Sequence, residues 1–211
     1  MTLPYINMLL KQLANGDAFL EKSFGRHIHW GYWPNPASAT PSSADDFGQA
    51  AERLSLELIT LAGISPGMRV LDVGCGFGGT MACLRDRIGE LDLVGLNIDP
   101  RQLQRAASLI EPSHHGSTAF VAGNACSLPF SDNSFDRVMA VECIFHFPSR
   151  SDFLREVKRV LRPGGSLVLS DFVPNPLFAP LGKLAKLEAF RSINLFGDCD
   201  VSCTAARYRR L

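Results

Sequence analysis

Apolar residues recur along this chain with a period that changes several times. From Leu3 to Ala14 they return every three or four positions, which predicts a short amphipathic helix. Phe47, Ala51, Leu54, Leu58 and Leu61 keep the same spacing. Ser42, Ser43 or Asp45 stand ready to cap that stretch and Gly63 to end it, so a long helix is expected between them. Beyond Arg69 the pattern becomes short apolar runs separated by helical segments. Val70–Val73, Asp92–Ile98, Ala119–Ala122, Arg137–Val141 and Ser166–Ser170 read as strands. Helices are expected over Thr80–Ile88, behind the Asp99-Pro100 cap with Leu103, Ala106, Ala107 and Ile110 inward, and behind Ser149 or Ser151 with Phe153, Val157, Val160 and Leu161 inward. Pro163-Gly164-Gly165 should break the chain before the last strand. Continuous apolar strands that alternate with helices imply an α/β fold, a doubly wound parallel sheet covered on both faces.

After Asp171 the strand rhythm stops. Phe172–Ala179 is proline-rich, Leu181–Phe196 reads as a helix with Leu184, Leu187, Phe190 and Ile193 on one side, and the final T-A-A-R-Y-R-R-L begins another. Three regions follow: an N-terminal lid with helices over 1–63, a core over 64–173 and a helical cap over 174–211. With no later strand in the pattern, the fifth strand would keep an open outer edge, which invites aggregation, self-association or a completing partner.

Composition narrows the partners. Lysine plus arginine and aspartate plus glutamate number 21 each, so no net field favours nucleic acid or anionic lipid. No apolar run is long enough to span a membrane, and the N-terminus lacks the basic start of a signal peptide; a cytoplasmic protein is expected. The six cysteines are scattered, as free buried thiols would be. Cys199 and Cys203 lack a second pair nearby, while His27 with His29 and the adjacent His114 and His115 lack an obvious third ligand, so no metal centre is expected.

The densest chemical signal is V-L-D-V-G-C-G-F-G-G at 70–79. Glycines after a buried strand let backbone N–H groups approach a ligand closely. Gly74, Gly76 and Gly79 also fit the dinucleotide spacing G-x-G-x-x-G, which by itself discriminates poorly. Asp72 discriminates better: a carboxylate there would repel a pyrophosphate but suits a cationic amino-acid end.

The stretch resembles motif I of the class I methyltransferases that use S-adenosylmethionine, and further motifs follow in the family's order. These are G-L-N-I-D at 95–99, G-N-A-C-S-L-P-F at 123–130, S-F-D-R-V with V-E-C-I-F-H-F at 134–147, and L-R-P-G-G at 161–165. The resemblance implies a Rossmann-like sheet of strand order 3-2-1-4-5, with the family's usual sixth and seventh strands missing. It implies that Asp72, Gly74, Cys75 and Gly76 hold the methionine end of the cofactor. Asn97 would meet the ribose hydroxyls, where the family often has an acid, with Ile98 beside it in the cofactor site; the alternative for Asn97 is a residue of the loop turn. Asn124 and Ala125 would lie at the adenine edge, and Glu142 would line the pocket. The segment Trp30-Gly31-Tyr32-Trp33 resembles the family's aromatic entry loop, which places Tyr32 and Trp33 over the cofactor; the alternative is an aromatic staple onto the sheet. His146, just past the fourth strand, is the candidate general base, and Asp171, ending the fifth, the carboxylate that orients it; the alternative for His146 is a packing role under the lid. The expected activity is methyl transfer to a small molecule, O-methylation first and C- or N-methylation of an isoprenoid, quinol or amine next. A non-catalytic cofactor-binding or partner-binding module is the reading from another class.

Overall fold

A computed structural model describes residues 3–40, 42–110, 116–173, 199–200 and 202–211. The helix read over Leu181–Phe196 and the pair His114 and His115 lie outside the described residues.

Five parallel strands form one sheet: β1 (Arg69–Val73), β2 (Leu91–Asn97), β3 (Gly116–Ala122), β4 (Phe135–Val141) and β5 (Leu161–Ser170), in the order β3-β2-β1-β4-β5. This is the expected order. Side chains alternate across the sheet because a strand has period two. Leu71 and Val73, Val94 and Leu96, and Val138 and Ala140 point to one face, where Phe153, Val157 and Val160 of α6 (Arg150–Val160) cover them. Val70, Leu91, Leu93, Met139 and Val141 point to the other. There they meet Leu58 and Ile59 of α3 (Ala44–Ala62), Met81 and Leu84 of α4 (Gly79–Ile88) and Leu103 of α5 (Pro100–Leu109).

The helix ends follow the caps read in the sequence. The Ser43 side chain accepts from the Asp46 N–H, Gly63 ends α3 in the left-handed region at φ 57°, Asp99 caps α5, and Ser149 rather than Ser151 caps α6. The first helix, α1, spans Pro4–Ala14. A second, α2 (Ala18–Phe24), has no counterpart in the sequence reading. At seven residues it is too short for a clear period, yet Asp17 caps it and its contacts with α3 hold it in place.

β5 also departs from expectation, because Pro163-Gly164-Gly165 does not precede the strand but lies inside it. Phe135 pairs with Leu161 and Arg137 with Ser166, so the proline and glycines loop out of the ladder while both ends stay paired. Gly164, at φ 80°, turns that loop.

Candidate functional site

The site opens at the carboxyl ends of β1, β2 and β4, where parallel sheets of this kind bind ligands. The chain leaves β1 through Gly74, Gly76 and Gly78, all in the left-handed region. Gly74 and Cys75 donate their N–H groups to the Leu96 carbonyl at 2.7 and 3.1 Å, folding the turn onto the end of β2. A side chain at Gly74 would strike Cys143, and one at Gly76 would strike Ile28. The turn is therefore glycine for space as well as for φ.

Asp72 is the unusual group here. It is 3 % exposed and lines the pocket, and among the described residues its carboxylate has no hydrogen-bond partner or counter-charge. Burial alone pushes its pKa up from 3.8 to about 7. Such a carboxylate is suited to a cationic ligand.

Gly74, Cys75, Gly76, Asn97, Ile98, Asn124, Ala125, Glu142 and His146 line the same pocket, so the structure brings together most of the residues singled out in the sequence. Several are already partly engaged. The Asn97 amide donates to Gln102 Oε1 at 3.3 Å, and its oxygen accepts from the Asp99 N–H at 3.0 Å. Asn124 accepts from the Cys126 N–H at 2.9 Å. Each still has capacity for a ligand hydroxyl or amine. Glu142, held at φ 46°, accepts from the Trp30 N–H at 2.7 Å and so ties the entry segment to the end of β4; burial raises its pKa.

Tyr32 and Trp33, expected over the cofactor, are not in the pocket lining; they sit on α3. The Tyr32 N–H donates to the Ala50 carbonyl at 2.8 Å, while Trp33 donates its indole N–H to Asp46 at 3.0 Å and packs edge-on against Phe47. The cause is close approach: Gly31 lies so tightly on Ala50 that its added Cβ would clash at 2.4 Å, which turns the following aromatics outward along the helix. The staple alternative describes them better.

Residues upstream line the pocket instead. His27, 4 % exposed, sits between Glu52 at 3.4 Å and His29 at 3.1 Å, and the His29 Nδ1–H donates to the Trp30 carbonyl at 2.8 Å. Ser55 Oγ lies 3.3 Å from His29 and 3.1 Å from Thr80 Oγ1. Burial, then the neighbouring His27, drives the His29 pKa down to about 4; the His27 contact, against burial, draws that of Glu52 down to about 2. Cys83 completes a cluster of metal-capable donors with His27 and Glu52, all within 4.8 Å of one another. The Arg26 guanidinium already provides positive charge there, 3.3 Å from the Cys83 sulfur and 3.4 Å from Glu52. The H-x-H pair was visible in the sequence, but not its partners on α3 and α4.

The expected pairing of His146 with Asp171 does not form. Asp171 is buried against Arg150, whose Nε and Nη2 donate to it at 3.1 and 3.0 Å; the Tyr208 hydroxyl donates to the same oxygen and the Phe172 N–H to the other. A buried carboxylate needs a buried cation, and Arg150 supplies it. Arg150→Ala would strand Asp171 and is expected to destabilise the fold by about 3–5 kcal/mol; urea unfolding with a loss under about 1 kcal/mol would contradict this account. His146 instead closes a turn at Ile144–His146, with its ring 6.0 Å from that of Tyr5 and its Nδ1 3.5 Å from Cys199 Sγ. Tyr5, another pocket residue, carried no motif by which sequence could find it.

Comparison with known proteins agrees with this geometry. A family model described as a methyltransferase domain matches residues 71–169. The methyltransferase GfsG of Streptomyces halstedii is 38% identical over 158 residues, 74% of this chain and 55% of that protein. The 27-O-demethylrifamycin SV methyltransferase of Amycolatopsis mediterranei is 31% identical over 194 residues, 92% of this chain and 68% of that protein. Among solved structures, the [4+2]-cyclase SpnF superposes with a TM-score of 0.67 at 29% identity over 82% of this chain and 58% of its own. A geranyl diphosphate C-methyltransferase from Streptomyces coelicolor shares the fold at TM-score 0.71 and 19% identity, over 98% and 77%. The chain thus spans about half the length of some curated relatives, 55% of the first and 48% of a hydroquinone methyltransferase from Synechocystis. No described helix is long and apolar enough to cross a membrane. With its glycine turn, its buried Asp72 and a methyltransferase relative 31% identical over 92% of its length, the chain belongs to the methyltransferase-domain family.

Proposed function

We propose that this chain binds S-adenosylmethionine and methylates a small molecule, with a hydroxyl as the favoured acceptor. The observation that carries the reading is Asp72: a buried carboxylate with no partner among the described residues, beside a turn of left-handed glycines, fits a ligand that is cationic at one end and carries no phosphate. Bound there, S-adenosylmethionine supplies an electrophilic methyl group on a sulfonium. Asp72 would hold the ammonium, with the backbone around Gly74–Gly76 at the carboxylate end. Asn97 and Gln102 would meet the ribose, and Ile98, Asn124 and Ala125 the adenine. Glu142 and Asp72 add negative potential to a pocket that must receive a cation. His146, in the same pocket lining as Glu142, is the group we assign to receive the acceptor's proton. Relatives named as a 27-O-demethylrifamycin SV methyltransferase and a sterol 24-C-methyltransferase support a small-molecule acceptor and leave both atom types within the family's reach.

Likeness to a protein named as a cyclase means that cofactor binding alone does not establish transfer. The test is therefore in two parts. Calorimetry should detect S-adenosylmethionine or S-adenosylhomocysteine with micromolar or tighter affinity and no heat with NAD. Incubation with methyl-labelled cofactor and a panel of polyketide and phenolic alcohols should then yield labelled product. NAD binding without a response to S-adenosylmethionine would overturn the reading; binding with no transfer across the panel would favour a cofactor-binding module.

A further inference from the structure

His146 needs a partner at Nδ1 if it is to act through Nε2, because the hydrogen bond at one ring nitrogen sets the tautomer of the other. Asp171 is committed to Arg150 and Tyr208. Among the described residues, the Cys199 thiol reaches His146, at 3.5 Å from Nδ1. Its position is built rather than incidental. The next residue, Asp200, donates its N–H to the Phe145 carbonyl at 2.8 Å, in the same turn as His146. Arg150 grips Asp200 twice, at the carboxylate and at the main-chain carbonyl, both at 2.5 Å. Ser202 closes back on the other carboxylate oxygen with its N–H, at 3.0 Å. One buried arginine thereby fixes both the end of β5, through Asp171, and the segment that presents Cys199.

We infer that Cys199 is the positioning residue for His146, accepting its Nδ1–H and leaving Nε2 as the nitrogen that takes the proton. The inference rests on the proposed role of His146. When an acceptor O–H breaks, its proton moves to Nε2 and its electron pair stays on the oxygen that gains the methyl. The imidazolium then has two donors, and Nδ1 must face an acceptor; sulfur fills that place, weakly as a thiol and strongly as a thiolate. The proton passes to water after product leaves. Among the described residues, the other titratable groups on elements around this turn are Tyr5 on α1, Glu142 and Cys143 after β4, Arg150 on α6, Asp171 after β5, and Asp200.

Long-range imidazole ¹⁵N–¹H spectra of the full chain test this without an acceptor, with His146 assigned by loss of its signals in His146→Gln. At pH 8 the wild type should show Nδ1 protonated and Nε2 bare. Cys199→Ala should move His146 to the Nε2–H form and lower its titration midpoint, and Cys199→Asp should restore the wild-type tautomer and raise the midpoint. Unchanged signals from His27 and His29 would confirm that the fold is intact. An Nε2-protonated wild type, or a tautomer indifferent to Cys199→Ala, would overturn the inference. A His146→Ala enzyme with full methyl transfer would instead remove the base assignment while leaving the tautomer result to stand, so the two failures are distinct.

Discussion

Asp72→Asn is expected to stabilise the ligand-free chain at pH 8 while removing its affinity for S-adenosylmethionine. The folded state lifts the Asp72 pKa from 3.8 to about 7 by burial, so the folded chain holds a proton there that the unfolded chain releases. An acid raised in this way favours folding fully below pH 3.8, and that contribution is lost as pH rises to about 7. The difference corresponds to about 4 kcal/mol at most. Asparagine has no charge to bury, so the variant should gain most of that stability at pH 8 and almost none at pH 4. Thermal melts at the two pH values measure it. The same substitution removes the counter-charge for the ligand ammonium, and a charge-assisted contact in a dry site is worth several kcal/mol, so calorimetry should show at least about a hundredfold loss of affinity. Wild-type affinity should itself fall below pH 7, as Asp72 becomes protonated. Binding preserved in Asp72→Asn would place the ligand's cation elsewhere; a variant no more stable at pH 8 would mean that the carboxylate is compensated in solution.

His146→Ala is expected to lower the rate of methyl transfer by about 10²–10⁴ while changing cofactor affinity by no more than about threefold. The ring lines the pocket from the turn after β4, an element other than the glycine turn and the end of β2 that would hold the nucleoside. Binding and chemistry should therefore separate. Single-turnover transfer from labelled cofactor, once an acceptor is found, gives the chemical rate directly. A loss smaller than about fivefold would mean that alignment of the acceptor with the methyl group does the work, and that His146 only packs against Tyr5 and Phe145.

Period and punctuation determined the framework of this protein. Continuous apolar strand runs, Asp99-Pro100, Ser149 and Gly63 encode local choices, and the elements formed where those signals stood. Asp72 and its glycines were legible for the same reason, since strand, carboxylate and turn are neighbours in the chain. The tertiary structure decided what depends on distant partners. Whether a histidine is oriented by a carboxylate or a thiol turns on which group first satisfies the buried Asp171, and Arg150, which no motif marks, took that place. Whether Tyr32 and Trp33 face a ligand or a helix turns on the contact of Gly31 with Ala50, 19 residues away along the chain. His27 acquired Glu52 and Cys83 only when α3 and α4 closed over it. Hydrogen bonds and charges act over a few ångströms in space, whereas pattern and capping act over a few residues in sequence; the first kind could be settled only by the packed fold.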